Sequence, residues 1–545
     1  MKVQITQQQN KPIQKSPQFK GGVDTALRFL ATNQGVGANL TDVSFMVVPR
    51  ILSDAQRGPS ACVETARREA SGTANHSSVG IYGLAGGMAA AGIMGINRKF
   101  GTDANSIFAA PETINILAEN KANQFKNKTT QLDYLKETLK NVKAYNPTAK
   151  NADKKGFQDG FIKLSENTID EVAKILDNAI NDKNMNFKTW KKQDTHNSLN
   201  VAVNKIIEDT GAESQFILES ADKKIKSNTS LRTLLEDIYK VSESFNKEKV
   251  KEAFENQIKE NKTIADNTFV KKLSKFMKIR SGVAFVAATA IGMSIQPLNI
   301  YLTKLKTGSD GFVGVEGRTK DKSTEFKAMK GVSALAFGGL VLGTLGTGLK
   351  GFMDKMAFKG FWPTINQLKG IYGLTIISRI LSTRDKDELR EALTKDTLGF
   401  LSWLVLGDIV NKATADRLDK SVMNYKNGVD NTKTFKRIFN ASLKTRDEIL
   451  VETLAQNNIK TTYEKDGKVV AKKFSAMLKD LENSNIADSI KKTARKRLNT
   501  LTKAQVAGYA FSGLVLGLGI PNLNIYITNT LDKKRKAAAQ KNKQV

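Results

Sequence analysis

Residues 504–530 read AQVAGYAFSGLVLGLGIPNLNIYITNT, twenty-seven positions without a charged side chain. About 20 apolar residues suffice for a helix to cross the hydrocarbon of a bilayer, so this stretch predicts a membrane helix. Two more runs have the same character, 281–303 and 71–97, the second predicting a helix over 78–97. A fourth, 331–349 (GVSALAFGGLVLGTLGTGL), is at the short end of the range. Residues 361–410 read as a weaker membrane hairpin, because Lys369, Arg379 and Asp408 interrupt their apolar segments.

Around these islands the chain is polar. Of 545 residues 26% are charged and 40% hydrophobic, with a mean hydropathy of −0.35. The expectation is a mainly α, multi-pass helical membrane protein with about four to six membrane segments and two basic soluble helical regions, 112–280 and 411–503. Apolar residues at helical spacing support the latter: Ile169, Val172, Leu176 and Ala179, then Leu231, Leu234, Leu235, Ile238 and Val241. In the second region Ile438, Phe439 and Leu443, and then Phe474, Met477, Leu478 and Leu481, read as apolar faces. Asp466 and Gly467 between two β-prone triplets predict a hairpin within 461–471. A polar N-terminal segment (1–40) lacks the apolar core of a signal peptide, a juxtamembrane polar block occupies 41–77, and a basic tail (531–545) ends the chain.

Small residues at every fourth position let helices approach closely in lipid. Gly83, Gly87, Ala91 and Gly95 form such a ladder, as do Gly339 with Gly343 and Gly513 with Gly517. Two internal matches strengthen the packing reading. AFGGLVLG at 336–343 matches AFSGLVLG at 510–517, and LNIYLT at 298–303 matches LNIYIT at 523–528, each of the latter pair shortly after a proline, Pro297 or Pro521. These prolines are expected to mark exits from the bilayer. Trp362, Trp403, Tyr301 and Tyr526 lie near candidate ends, where aromatic belts form. Lys and Arg in the short loops favour both termini on the cytoplasmic side, with the large regions outside.

The net charge of +31 favours polyanionic partners. The bilayer itself, anionic lipids and other membrane helices or further copies of the chain are the expected partners. Nucleic acid is not, since the basic regions carry no stacking pattern or recognised motif. Cys62 is the only cysteine and His76 and His196 the only histidines, so no metal or cofactor site is read. In the juxtamembrane block Glu64 and Arg68 are spaced to pair on a helix. That leaves Arg57, Arg67, Arg68 and His76 as candidate contacts to an anionic headgroup. Asp408, Asn299 and Asn524 are candidate intramembrane polar residues. No catalytic residues emerge. The preferred expectation is a membrane scaffold or interaction protein. A cavity lined by Asn299, Asn524 and Asp408 would favour a transporter or channel component, and an open pocket at His76 a membrane enzyme acting on phosphorylated lipid.

Overall fold

Long runs of Ala, Leu, Ile and Val without turn residues favour helix. The uncharged runs are helical, with breaks only at Ser78, Gly95 and 346–348, in the computed structural model, which describes residues 22–32, 34–147, 160–313, 319–425, 434–439 and 441–541. Residues 1–21 of the polar N-terminal segment and 542–545 of the basic tail lie outside that set. Residues 22–32 and 34–42 form two short helices.

The bundle helices, in chain order, are α1 (Val48–Ala55), α2 (Pro59–Ser77), α3 (Val79–Met94), α4 (Thr268–Thr307), α5 (Thr324–Leu345), α6 (Ile365–Ser382), α7 (Lys386–Leu401), α8 (Gly407–Leu418), α9 (Asp488–Ser512) and α10 (Ile520–Lys541). Short π-helical turns lead into α1 (Val43–Val47), join α7 to α8 (Ser402–Leu406) and join α9 to α10 (Gly513–Gly519). Three helices are long and apolar enough to cross a membrane: α4, α5 and the continuous α9–α10. The pair α2 and α3, bent by 51°, makes a fourth if counted as one. The weaker hairpin at 361–410 corresponds to α6, α7 and the start of α8, which fall outside those candidates.

The prolines do not end the helices. Pro297 lies inside α4, which continues to Thr307, and Pro521 is in the first turn of α10. Proline removes one N–H and crowds the preceding turn; before Pro521, as before Pro49, a π turn takes up the irregularity.

Only 33%, 22% and 33% of the most apolar windows of α4, α5 and α9–α10 are buried. Val286, Met293 and Leu298 on α4, Val332 and Leu335 on α5, and Leu514, Leu518 and Leu523 around the α9–α10 junction all face outward, as do Ile81, Met88 and Ile93 on α3. The charged side chains go inward instead: Arg50, Arg379 and Arg384 are 1%, 4% and 1% exposed. Apolar outside and ionic inside is the reverse of a water-soluble bundle. Of the aromatic flanks, Trp362, Tyr301 and Tyr526 are exposed, but Trp403 is buried against Tyr372 and His76.

At one end of the bundle sits the part expected to be soluble. Its first region departs from the all-helical expectation and contains an antiparallel sheet of β1 (Val142–Tyr145), β2 (Phe161–Lys163), β3 (Phe216–Glu219) and β4 (Lys226–Thr229), in the order β2-β1-β3-β4. The second region adds two hairpin pairs, β5 (Met423–Tyr425) with β6 (Ala441–Leu443), and β7 (Thr462–Lys465) with β8 (Lys468–Ala471). The second pair is the expected hairpin, with Asp466 and Gly467 both at positive φ, as its two-residue turn requires. Ile438, Phe439 and Leu443 do not share a helical face, because the helix stops at Phe439 and Leu443 belongs to β6. The other expected apolar stripes are buried as predicted, apart from Leu478, which is half-buried. One hydrophobic core joins both regions, running from Ala90 through Met277 and taking in Leu450, Phe474, Leu481 and Ala494.

In both regions each of two strand pairs is followed by a helix, with helices Phe187–Trp190 and Leu199–Thr210 added before β3 in the first and Thr434–Phe439 between β5 and β6 in the second. In the first, helices Glu166–Asn181 and Leu231–Phe245 follow β2 and β4; in the second, Arg446–Gln456 and Phe474–Asn483 follow β6 and β8. Ser165, Ser230 and Thr445 cap three of these four helices with their side-chain oxygens.

Candidate functional site

The end of the bundle remote from the soluble part is where the charges of the juxtamembrane block come together. Glu64 and Arg68 do not form the expected pair. Glu64 accepts instead from Arg384, whose Nη2 lies 2.8 Å from Glu64 Oε1 and 2.9 Å from Glu388 Oε1. Arg57 grips Glu391 with two bonds of 2.8 and 2.6 Å. Deeper in, Arg50 lies 3.0 Å from Glu69 and 3.9 Å from Asp396, while Arg379 lies 3.1 Å from Asp396 and 3.5 Å from Glu69.

These contacts obey a two-fold pattern. Arg50 to Ser53 and Arg379 to Ser382 both read RILS, and Glu64 to Gly72 (ETARREASG) shares with Glu391 to Gly399 (EALTKDTLG) a Glu, a basic-acidic pair and a Gly at matching places. Arg57 of the first copy binds Glu391 of the second, and Arg384 of the second binds Glu64 of the first. Arg50 lies over Gly399, where an added Cβ would be 2.7 Å from Nη2; Arg379 lies over Gly72 at 3.5 Å. The Phe312 ring stands between the two outer arginines, 5.7 Å from the guanidinium of Arg57 and 5.9 Å from that of Arg384.

The helices repeat in the same way. One unit comprises α1, the bent pair α2–α3 and α4, and the other α6, the π-joined pair α7–α8 and α9–α10. In each unit the middle pair packs on the long helix that comes after it. The first helices are exchanged: α1 lies against the α9–α10 junction and α6 against α4. Equivalent glycines make room for them. A Cβ on Gly292 would meet Thr375 of α6, and one on Gly517 would lie 3.1 Å from Phe45 O and from Pro49 Cγ, just before and at the start of α1. The LNIY repeat has a matching role, since Arg67 donates to Thr303 at 2.8 Å and Arg390 donates to Thr528. Only α5, between the units, has no counterpart.

Seven basic groups (Arg50, Arg57, Arg68, Arg379, Arg384, Arg390, Lys395) and six carboxylates (Asp54, Glu64, Glu69, Glu388, Glu391, Asp396) thus nearly balance within one cluster. Each buried ion costs several kcal/mol in lost hydration, which only close, multiple pairing offsets. Between the units remains a cavity of about 60 Å³, lined by members of the cluster and by Gln296, whose Oε1 is buried with no hydrogen-bond partner among the described residues. That volume has room for about four waters.

The predicted site residues are thereby placed. Arg57, Arg67 and Arg68 point into protein contacts rather than toward a headgroup. His76 is 2% exposed, with Nε2 3.2 Å from Asp42 Oδ2 and its ring 5.6 Å from that of Trp403, so no open pocket surrounds it. Asn299 and Asn524 are buried, the latter donating to the Glu391 carbonyl at 3.3 Å. Asp408 is apart from them: its carboxylate is mostly exposed and lies 2.6 Å from Lys412 one turn on. Of the packing glycines, Gly83 meets Phe358, Gly87 meets Arg280, and Gly513 and Gly517 meet Phe45; Gly339 and Gly343 face open space, as does Gly95. Ala91 is buried in the soluble core. Arg379, Arg384, Glu391 and Asp396 were missed as site residues, although the RILS match and the spacing of Glu64 and Glu391 to their glycines carried the signal.

No protein-family model, curated protein or solved structure matches the chain.

A second buried cluster fastens the two soluble regions. Glu448 accepts from the backbone N–H of Glu213 at 2.6 Å and of Ser214 at 3.2 Å, and Thr445 Oγ1 donates to Glu213 at 2.8 Å. Burial pushes the Glu448 carboxyl up to about 7, against the pull of its backbone donors and helped by neighbouring Glu213. Among the described residues no group of His, Cys, Asp and Glu is arranged to hold a metal ion.

Proposed function

We propose that this chain is a multi-pass integral membrane scaffold: a duplicated helical bundle that crosses the bilayer and presents the two-part soluble region at its surface. The observation that carries the reading is the outward apolar face of α3, α4, α5 and α9–α10 around an ionic interior. Mutual neutralisation supports a structural rather than catalytic use of the cluster, because its carboxylates are engaged by cations of the same chain. The expected result is that alkaline carbonate leaves the expressed chain in the membrane pellet and only detergent releases it. Release by carbonate would mean that the apolar faces are covered by protein, and the scaffold reading would fall with them.

Transport is a second reading, favoured by the duplication itself, since many transporters are built from two like units meeting at a central site. Here the meeting place is the cavity beside Gln296. A Gln296→Cys variant in sealed vesicles tests it: transport predicts reaction with water-soluble maleimides from both sides of the membrane. Protection from both sides would leave the scaffold reading alone.

A further inference from the structure

On α9 the residues Lys492, Arg495, Lys496, Asn499 and Lys503 recur at helical spacing and line an open groove of about 320 Å³ against the end of α8. Two of the cations are already engaged. Arg495 is paired with Glu482, and Lys496 lies 3.7 Å from Asp419. Lys492 and Lys503 have no ion-pair partner among the described residues, so the groove keeps a surplus of positive charge.

Toward the C-terminal end of α9 the same helix face becomes apolar. Lys503 is the last charged residue before the uncharged run, and Val506 and Leu514, three and eleven positions on, are 51% and 63% exposed. One continuous stripe therefore changes from basic to apolar at a single turn. At about 1.5 Å per residue, its basic part reaches from that turn some 16 Å toward the soluble region. The Leu418 side chain, 42% exposed, adds an apolar patch to the groove. The equivalent helix α4 shows the same change, with exposed Lys271, Lys275 and Lys278 preceding exposed Val286.

We infer that the α9 groove binds the headgroup of an anionic phospholipid carrying more than one phosphate, with its acyl chains lying along Val506 and Leu514. The inference rests on the membrane reading proposed for the whole chain. Free phosphate compounds share the headgroup's chemistry but not its tails, and the apolar half of the stripe selects the lipid. Each Lys near an anionic membrane surface contributes roughly a fivefold factor, so losing two weakens binding about thirtyfold.

The test uses the full chain purified in detergent, titrated with cardiolipin and monitored by native mass spectrometry, with phosphatidylcholine as the neutral lipid. One cardiolipin is expected to remain bound, and a Lys492→Glu/Lys503→Glu variant to bind at least about thirtyfold more weakly. A Lys275→Glu/Lys278→Glu variant, which removes as much charge from α4, is expected to bind as the parent does. Equal loss in both variants would reduce the effect to general surface charge and overturn the site. Full displacement by inorganic pyrophosphate would make it a free-phosphate site and overturn the lipid assignment. Cardiolipin binding no stronger than that of phosphatidylcholine, in a chain that resists carbonate, would overturn this inference while leaving the membrane reading intact; release by carbonate overturns that reading itself.

Discussion

Replacing Arg384 by alanine is expected to cost about 3–5 kcal/mol of stability, enough to remove most of the folded protein from a detergent extract. The side chain is 1% exposed and its guanidinium faces Glu64 and Glu388, at 2% and 8%, so truncation strands two buried carboxylates at once. Arg57→Ala is expected to do less harm. Its pair with Glu391 is more open, at 8% and 11%, and Thr528 also donates to Glu391. The clearest control is a triple variant, Glu64→Gln, Glu388→Gln and Arg384→Met, which removes all three charges and is expected to recover much of the loss, since neutral replacement of a buried ion pair is often tolerated. Thermal unfolding of the detergent-purified chain, read by monodisperse recovery on size exclusion, orders the variants. An Arg384→Ala protein that melts with the parent would end the idea that this cluster holds the two units together.

The second large effect comes from the glycines. Gly83→Leu places a side chain where even a Cβ would lie 2.6 Å from the Phe358 ring, and Gly517→Leu forces apart Phe45 and Pro49. Overpacking of this kind costs about 1–3 kcal/mol, more where backbone cannot move. Gly339→Leu, by contrast, enters open space and is expected to leave the melting temperature unchanged. Should Gly339→Leu prove as damaging as Gly83→Leu, the packing described for α5 would be wrong.

The comparison of these glycines shows where sequence reasoning reached its limit. A GxxxG spacing says that a helix has a small-residue face, but not whether anything lies against it. Gly513 and Gly339 occupy matching places in the AFxGLVLG repeat, yet only Gly513 is covered. Uncharged runs are legible because twenty or more positions without a charge stand out in a chain that is 26% charged. By the same measure α6 and α7 read as weak, since Lys369, Arg379 and the acids of α7 lower their hydropathy. Several of those charges are sheltered by partners more than 300 positions earlier: Arg379 by Glu69 of α2, Asp396 by Arg50 of α1, and Glu391 by Arg57 in the turn between them. The sheet was illegible for another reason: its strands are three or four residues long, and β4, Lys226 to Thr229, is entirely polar in sequence. The duplication left only fragments of identity, because it preserves the spacing of a Glu, a basic-acidic pair and a Gly rather than the residues between them.

The odd number of passes in each unit gives α5 its importance. Counted from the soluble end, α1 runs away, α2–α3 returns, and α4 runs away again, so a copy appended directly to α4 would start from the wrong end and lie upside down. One further pass restores the direction, and α5 makes it: from Lys330, which bonds the carbonyls of Leu381 and Thr383 at the far end of α6, to Thr344, whose carbonyl accepts from Lys369 near that helix's start. Without contributing a charge to the cluster, α5 sets the parity that brings four arginines and their opposite-number carboxylates to the same end of the molecule. Removing it, or adding a second helix like it, would leave every local sequence signal in place and put each arginine a full helix length from its acid.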